Sequence, residues 1–379
     1  MTAATVLALM GGLVLLTAGA EALVRGASGL ARAAGVTPLL VGLTVVAFGT
    51  SAPEVAVSVR ASLGNQPAVA LGNVVGSNVF NVLVILGVSA VVAPLLVQRQ
   101  LVRQDVPILI GVSFVPILLA LDGRIGRIDG LLLLAGGIGY TGWLGWMGLR
   151  KAPGVHPPRR RRHPFTVRRW AVGLALVAAG LVGLVAGANL FLKGALALAR
   201  AMGVSELVIG LTLVAAGTSL PELATSVVAT VRGERDIAVG NVVGSNIFNI
   251  LVVLGAASAL GPHGLAVPRG ALTFDLPVMM AVAFVCLPIF YTDWSITRGE
   301  GALFLSYYGA YLVYLFLHAS GHEAETLFGA AIAYVAIPLT LVVGAILWWR
   351  DRDDRRRGTP EPAAERRTPP SASDGRTSS

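Results

Sequence analysis

The sequence predicts an all-α membrane protein in which two five-helix repeats of opposite orientation are followed by an eleventh transmembrane helix. Three observations predict this fold class: an apolar composition, a series of long apolar segments and a gapless internal repeat. Of the 379 residues, 55% are hydrophobic and 13% are charged, whereas soluble domains carry about 25% charged residues. So few charges cannot cover a soluble protein of this size, and we therefore expect an integral membrane protein.

Eleven segments are long and apolar enough to cross a bilayer as helices, which takes about 20 residues each. They are residues 3–24, 37–62, 67–93, 104–121, 128–149, 170–192, 204–230, 236–260, 271–291, 300–317 and 327–349. Residues 350–379 are rich in Arg, Asp, Pro and Ser and have no apolar periodicity. This segment is predicted to be a disordered tail.

The basic residues between these segments predict the orientation. When the basic loop 150–169 is placed in the cytoplasm, 23 Lys and Arg residues fall on the cytoplasmic side and 6 on the other. This is the bias that cytoplasmic loops show. We expect a multi-pass protein of the cell membrane with its N-terminus outside and its C-terminus in the cytoplasm. Nucleic acid binding by Arg159–Arg162 is the disfavoured alternative in so apolar a chain.

An internal duplication defines the domain organisation. Residues 42–92 align with 210–260 without a gap, and 28 of the 51 positions are identical. The repeats, residues 1–149 and 170–317, contain five spans each, and an odd number of spans reverses the second copy in the membrane. Inverted repeats of this kind are typical of secondary transporters, whose sites lie near the membrane midplane. The eleventh helix, within residues 318–349, has no counterpart in the repeat and returns the tail to the cytoplasm.

The motif Gly-Thr-Ser-x-Pro-Glu occurs at residues 49–54 and 217–222, inside otherwise apolar spans. An unpaired ionised Glu at such depth costs several kcal/mol. The Pro removes a backbone donor and frees a carbonyl, which a bilayer tolerates only beside protein or a wet cavity. Thr50 and Glu54 share a helix face if the helix persists. Such hard oxygen donors favour Na⁺ or Ca²⁺. The alternative is a kinked helix in which the Glu only packs against a neighbour. The occurrence of the motif in both copies argues against this alternative.

A second motif, Gly-Asn-Val-Val-Gly-Ser-Asn-x-Phe-Asn, occurs at residues 72–81 and 240–249. Its Ser and last Asn are four residues apart, so each copy presents two neutral oxygens to one side of a helix. The other asparagines are predicted to form hydrogen bonds between helices rather than to bind ions: Asn73, Asn78, Asn241 and Asn246. Outside the motifs, Glu21 is expected near a cytoplasmic helix end, paired with Arg25.

At these residues the sequence resembles the calcium/cation antiporter superfamily, and within it the bacterial and archaeal type of sodium/calcium exchanger. The resemblance covers residues 1–317. It implies that the cation ligands are Glu54, Glu222, Thr50, Thr218, Ser51, Ser219, Ser77, Ser245, Asn81 and Asn249, with the carbonyls of Ala47 and Ala215. Some relatives, including the potassium-dependent branch, have Asp at the position of Asn249. The neutral Asn81 and Asn249 therefore argue against potassium dependence.

The resemblance also implies that spans one and six slide as a pair across a more rigid core. Small residues in these spans suit a smooth sliding surface: Gly19, Gly26, Gly29, Gly187 and Gly194. We expect exchange of Ca²⁺ for Na⁺ by alternating access at one site between two glutamates. H⁺ as the driving ion is the alternative, and a passive cation channel or a membrane enzyme is disfavoured. We expect no enzymatic activity, no cofactor and no nucleic acid partner, and a monomer surrounded by membrane lipid.

Overall fold

The computed structural model describes residues 2–150, 167–203, 215–291 and 294–320. The helices of these ranges are α1 (Ala3–Ala34), α2 (Pro38–Thr50), α3 (Ala52–Leu63), α4 (Pro67–Val92), α5 (Leu101–Asp122), α6 (Arg127–Arg150), α7 (Val167–Ala201), α8 (Ala215–Gly217), α9 (Leu220–Val231), α10 (Arg235–Leu260), α11 (Ala271–Tyr291) and α12 (Arg298–Ser320). Most of the basic loop 150–169, the predicted eleventh span and the tail 350–379 lie outside the described residues.

Nine of the predicted spans coincide with helices of the described ranges, and the span predicted at 204–230 is described only from residue 215 onward. Within these ranges, seven helices are long and apolar enough to cross a membrane, or eight if the bent pair α2–α3 counts as one span. The chain is therefore a helical, multi-pass membrane protein. The arrangement of five plus five helices with an eleventh stays a prediction.

The first helix is longer than its predicted span. The Thr2 hydroxyl accepts a hydrogen bond from the Thr5 N–H at 3.2 Å and caps its start. The helix ends only where Gly35 takes a left-handed conformation with φ 70°, which glycine adopts without strain. Glu21 therefore lies well inside the helix and not near its end. Its predicted ion pair with Arg25 is confirmed.

Two helices form the centre of the molecule. The apolar stretch of α10 is 94% buried and that of α4 is 78% buried. The corresponding stretches of α1 and α7 are only 22% and 33% buried. Helices that are apolar all round are those that lie inside a bundle. The motif-bearing helices α4 and α10 therefore lie inside the protein, while α1 and α7 lie at its periphery.

The peripheral helices α1 and α7 pack on each other through glycines. A Cβ atom at Gly12 would lie 2.6 Å from Phe191 Cα, and one at Gly19 would lie 2.7 Å from Leu184 N. No side chain fits there, so the two backbones approach closely, as is common between membrane helices. Three more glycines lie in this contact: Gly26, Gly187 and Gly194. These glycines face the other peripheral helix and not the core, so they do not form the expected surface against the core, and the sliding itself stays a prediction. A Cβ added at Gly29 would meet no atom within 4 Å among the described residues.

A polar cluster connects α1 to the corner between α9 and α10. Glu21 pairs with Arg232 as well as with Arg25. Two turns further along α1, Ser28 donates a hydrogen bond to Glu234 at 2.5 Å. A cavity of about 150 Å³ lies among these side chains. The contact between Glu21 and Arg232 has no signal in the sequence, because the two residues are far apart in the chain.

Within the described ranges, four short strands join the two halves of the sequence. Strand β1 (Leu95–Leu96) pairs antiparallel with β4 (Ser295–Ile296), and β2 (Arg124–Ile125) pairs antiparallel with β3 (Leu265–Ala266). Each pair takes one strand from the first half of the chain and one from the second. The sequence predicts no strands. At two residues each, they are connections between helices and leave the fold class all-α.

Candidate cation-binding site

The first glutamate-bearing span is broken at its Gly-Thr-Ser-x-Pro-Glu motif. Helix α2 ends at Thr50, α3 begins at Ala52, and their axes differ by 43°. Pro53 lies in the first turn of α3, where its missing N–H costs no helical hydrogen bond. The condition under which Thr50 and Glu54 would share one helix face is therefore not met, because the helix does not persist through Ser51.

The second copy of the motif has a corresponding break. A turn at Thr218–Ser219 separates α8 from α9, and Pro221 lies in the first turn of α9. Glu54 and Glu222 thus occupy the first turn of a helix in both copies. The unpaired N–H groups and the dipole of a helix N-terminus stabilise negative charge there. Both carboxylates are therefore placed where the backbone favours a charge.

The structure brings the two glutamates together through the serines of the opposite motif. Ser219 donates a hydrogen bond from Oγ to Glu54 Oε1 at 3.1 Å. Reciprocally, Ser51 donates to Glu222 Oε1 at 3.3 Å. Glu54 and Glu222 both have 0% of their surface exposed in the chain itself, so neither side chain faces the outer surface of the protein. Motifs that are 168 residues apart in sequence therefore form one polar centre.

The threonines of the two motifs also reach across to the opposite half. Thr218 donates to Asn73 Oδ1 at 3.2 Å, and Thr50 donates to Asn241 Oδ1 at 3.1 Å. The amide of Asn73 donates in turn to Ser58 Oγ at 2.9 Å and that of Asn241 to Ser226 Oγ at 3.0 Å. These two asparagines thus connect helices, which is the role that the sequence analysis favoured for them.

The second motif carries a helical irregularity that the sequence analysis did not predict. Residues Asn81–Leu86 in α4 and Asn249–Leu254 in α10 are single stretches of π-helix. Each begins at the last Asn of its motif. Such stretches widen a helix and occur frequently at functional sites. The only signal for them in the sequence is that the same Asn recurs in both copies.

Six buried oxygens from the two motifs have no hydrogen-bond partner within the described ranges. They are Glu54 Oε2, Glu222 Oε2, Ser77 Oγ, Ser245 Oγ, Asn81 Oδ1 and Asn249 Oδ1. They form three pairs, each related by the repeat offset of 168 residues. Buried polar atoms are nearly always hydrogen-bonded, so a symmetric set of unpaired ones requires an explanation. All six are hard oxygen donors, the type that Na⁺ and Ca²⁺ bind.

The structure gives hydrogen bonds for the carbonyl of Ala47, whereas Ala215 lies at the edge of the described residues. The carbonyl of Ala47 accepts hydrogen bonds from Ser51 N at 3.1 Å and from Thr50 Oγ1 at 3.4 Å. Ala215 begins α8, directly after residues that the structure does not describe. Ala47 thus keeps its helical partner, and its carbonyl faces the break at Ser51.

Comparison with known proteins gives consistent matches over most of the chain. A family model described as sodium/calcium exchanger protein matches residues 4–146 and 172–317. The putative antiporter CaxA of Alkalimonas amylolytica is 37% identical over 290 residues, which are 76% of this chain and 89% of that protein. The sodium/calcium exchanger MaX1 of Methanosarcina acetivorans is 32% identical over 82% of this chain and 98% of its own length.

Solved structures show the same similarity in three dimensions. The sodium-calcium exchanger NCX_Mj, soaked with zero Na⁺ and Ca²⁺, superimposes with a TM-score of 0.69 at 32% sequence identity. The match covers 81% of this chain and 97% of that one. A third relative was found by sequence and not by structure: the inner membrane protein YrbG of Escherichia coli, strain K12, is 36% identical over 73% of this chain.

Proposed function

Because the chain belongs to the sodium/calcium exchanger family, we propose that it exchanges Ca²⁺ for Na⁺ by alternating access at a site between Glu54 and Glu222. The family consists of transporters, so the chain is not an enzyme. In this mechanism both ions are cargo, and the site opens to one side of the membrane at a time. No cofactor takes part in any step.

The observation that carries the proposal is the set of six unpaired oxygens. Ca²⁺ takes six to eight oxygen ligands, and Na⁺ binds the same type of donor. Two carboxylates in the set supply a charge of −2, which balances one Ca²⁺. The four neutral oxygens, from two serines and two asparagines, complete a shell without adding charge. A cation bound between the two motifs would provide a partner for oxygens that the described residues leave unpaired.

Exchange follows from the sharing of ligands. Ser51 and Ser219 already connect each motif to the opposite carboxylate, so the two halves form one site and not two independent ones. Ca²⁺ and several Na⁺ ions would therefore compete for the same oxygens. A site that holds either Ca²⁺ or Na⁺, but not both together, carries one kind of ion in each direction.

Protons are the alternative driving ion. Glu54 and Glu222 are both fully buried, and two close carboxylates without a cation repel each other in a poorly hydrated place. Protonation relieves this repulsion. A proton-driven exchange of Ca²⁺ or another cation is the second candidate function for that reason.

A vesicle flux assay separates the two driving ions. The purified protein is reconstituted into liposomes loaded with Na⁺, and ⁴⁵Ca²⁺ uptake is measured with a Na⁺ gradient, a pH gradient or neither. Sodium exchange predicts uptake that requires the outward Na⁺ gradient and persists when the pH gradient is abolished. Uptake that follows only the pH gradient contradicts sodium exchange and supports the second candidate. Uptake without any counter-ion indicates a channel.

We also propose the inverted arrangement of residues 1–149 and 170–317, with the N-terminus outside and the C-terminus in the cytoplasm. The matching helix breaks and π-helical stretches of the two halves support the arrangement. The excess of basic residues in the 150–169 loop and the tail supports the orientation. A fluorescent protein fused to Ser379 should fold and fluoresce in intact cells, whereas a periplasmic phosphatase fused there should be inactive.

A further inference from the structure

We propose that three buried side chains position the two asparagine ligands of the site, turning their oxygens rather than their amide nitrogens toward the cation. The ligands are Asn81 and Asn249, and the positioning residues are Asn78, Asn246 and Met279. The inference rests on the proposed function, because it concerns the same site. An amide group presents an acceptor on one side and a donor on the other, and only the oxygen binds a cation.

The orientation of Asn81 is determined by a backbone carbonyl. Asn246 donates from Nδ2 to the carbonyl oxygen of Asn78 at 3.2 Å. A carbonyl only accepts hydrogen bonds, so the nitrogen of Asn246 must face it and the oxygen must face the other way. That oxygen accepts from Asn81 Nδ2 at 2.9 Å. The nitrogen of Asn81 is thereby engaged, and its Oδ1 is left unpaired.

The orientation of Asn249 is determined by a thioether. Asn78 donates from Nδ2 to Met279 Sδ at 3.4 Å. A thioether accepts weakly and cannot donate, so the nitrogen of Asn78 must face it. The oxygen of Asn78 then accepts from Asn249 Nδ2 at 3.2 Å, and Asn249 Oδ1 is left unpaired.

Both chains of hydrogen bonds therefore leave the oxygen of an asparagine ligand unpaired, but they end on acceptors of different strength. One ends on a backbone carbonyl, which no side-chain substitution removes. The other ends on the sulfur of Met279, which is the weaker acceptor and is itself buried. The Met279 branch is for this reason the one that a conservative substitution can disable.

The first test is Met279→Leu, which removes the sulfur and keeps the volume nearly unchanged. Without the acceptor, Asn78 gains nothing from its present orientation, and Asn249 turns its nitrogen toward the site in part of the molecules. We expect the apparent KM for Ca²⁺ in Na⁺-driven uptake to rise about tenfold, the lower end for a group that orients a metal ligand. The maximal rate and the thermal unfolding midpoint without Ca²⁺ should stay close to those of the wild type.

The matched control is Met280→Leu, the same substitution at the next residue of α11. Met280 is only partly buried and makes no side-chain hydrogen bond within the described part of the chain. Its apparent KM should equal that of the wild type. An unchanged KM in Met279→Leu, or an equal increase in both variants, would overturn the proposal.

A double-mutant cycle separates orientation from packing. In Asn249→Asp both terminal atoms of the side chain are oxygens, so either orientation presents an oxygen to the cation. Met279→Leu should therefore change Ca²⁺ affinity in the wild-type background and have no effect in the Asn249→Asp background. Affinity is measured as equilibrium ⁴⁵Ca²⁺ binding to the purified protein, which does not require transport. Equal effects in both backgrounds would show that Met279 acts through packing alone.

The same measurements distinguish this inference from the function on which it rests. A wild-type protein that neither binds Ca²⁺ nor takes it up against Na⁺ would refute both. A wild-type protein that exchanges Ca²⁺ for Na⁺, with Met279→Leu indistinguishable from it, would refute only the positioning role.

Discussion

At the scale of single residues, the site is defined by which oxygens have partners and which do not. Each carboxylate accepts one hydrogen bond from the serine of the opposite motif through Oε1 and keeps Oε2 unpaired. The asparagines at 81 and 249 follow the same rule, with the nitrogen engaged and the oxygen unpaired. The chain thus uses hydrogen bonds to orient the groups and leaves one oxygen of each without a protein partner.

The first prediction concerns the two charges. Glu54→Gln or Glu222→Gln should reduce Na⁺-driven ⁴⁵Ca²⁺ uptake to the level of empty liposomes, because a single remaining carboxylate cannot balance a divalent cation. The substitutions keep the shape of the side chain, so the protein should still insert and be purified. Glu300→Gln, in a helix cap away from the site, is the control and should transport normally. Near-normal uptake by either site variant would show that the carboxylates are not ligands.

The second prediction concerns the neutral oxygens. Asn81→Ala or Asn249→Ala should raise the apparent KM for Ca²⁺ about tenfold, since a neutral oxygen facing a cation contributes about 1.5 kcal/mol. Transport should remain measurable in both variants, in contrast to the glutamate variants. The measurement is initial uptake rate as a function of Ca²⁺ concentration. Complete loss of uptake in a correctly inserted Asn variant would contradict the expectation that losing a neutral oxygen reduces transport less than losing a charged one.

At the scale of helices, interruption and close approach determine the shape. The breaks at Ser51 and at Thr218–Ser219 place both glutamates at helix N-termini. Two π-helical stretches begin at the candidate ligands Asn81 and Asn249. Helices α1 and α7, in contrast, are continuous and meet through glycines. Irregular backbone therefore occurs at the candidate ligands, and α1 and α7 are regular where they pack on each other. Further π-helical stretches lie in α5 (Leu101–Asp105) and in α11 (Ala271–Asp275).

The third prediction tests the glycine contact. Gly19→Ala would place a Cβ 2.7 Å from Leu184 N and should force α1 and α7 apart. Overpacking of this kind costs about 1–3 kcal/mol, so the thermal unfolding midpoint of the purified protein should fall. Gly29→Ala is the matched control on the same helix, because the described residues leave open space there. A Gly29 variant as destabilised as the Gly19 variant would contradict the contact.

At the scale of the whole molecule, the apolar core is divided into two clusters. The larger is formed by α2 to α6 and α9 to α12, and the smaller lies between α1, α7 and a few residues of α2, α9 and α10. The polar cluster around Glu21 and Arg232 connects α1 to the corner between α9 and α10. In the mechanism that we propose, such a division allows α1 and α7 to change position as a unit.

The fourth prediction follows from that division. Glu21→Gln removes the charge that pairs with Arg232 and Arg25, and Glu21 contributes none of the unpaired oxygens of the candidate site. If the ion pair must open during alternating access, the substitution should raise the maximal rate of exchange and leave the apparent KM for Ca²⁺ unchanged. A changed KM with an unaltered rate would show that Glu21 acts on the ion site instead.

The sequence by itself determined the membrane class, nine of the membrane spans in the described ranges and the two motifs. These are properties that each segment encodes locally: apolar length specifies a spanning helix, and proline in the Gly-Thr-Ser-x-Pro-Glu motif specifies an interruption. The duplication also predicted that Glu54 and Glu222 lie close together, because equivalent positions of two inverted copies are expected to meet. The break itself was predicted, and the shared face of Thr50 and Glu54 was expected only for a helix that persists, because periodicity assumes a continuous helix.

Only the tertiary structure decided which groups touch across helices. That Ser219 donates to Glu54, that Met279 orients Asn78 and that Gly19 faces α7 rather than the core are contacts between residues far apart in sequence. Helical periodicity reports which face of a helix is apolar, but not which neighbour covers it. Those choices depend on how close the backbones approach and on which donors meet which acceptors, and both arise only when all helices pack together.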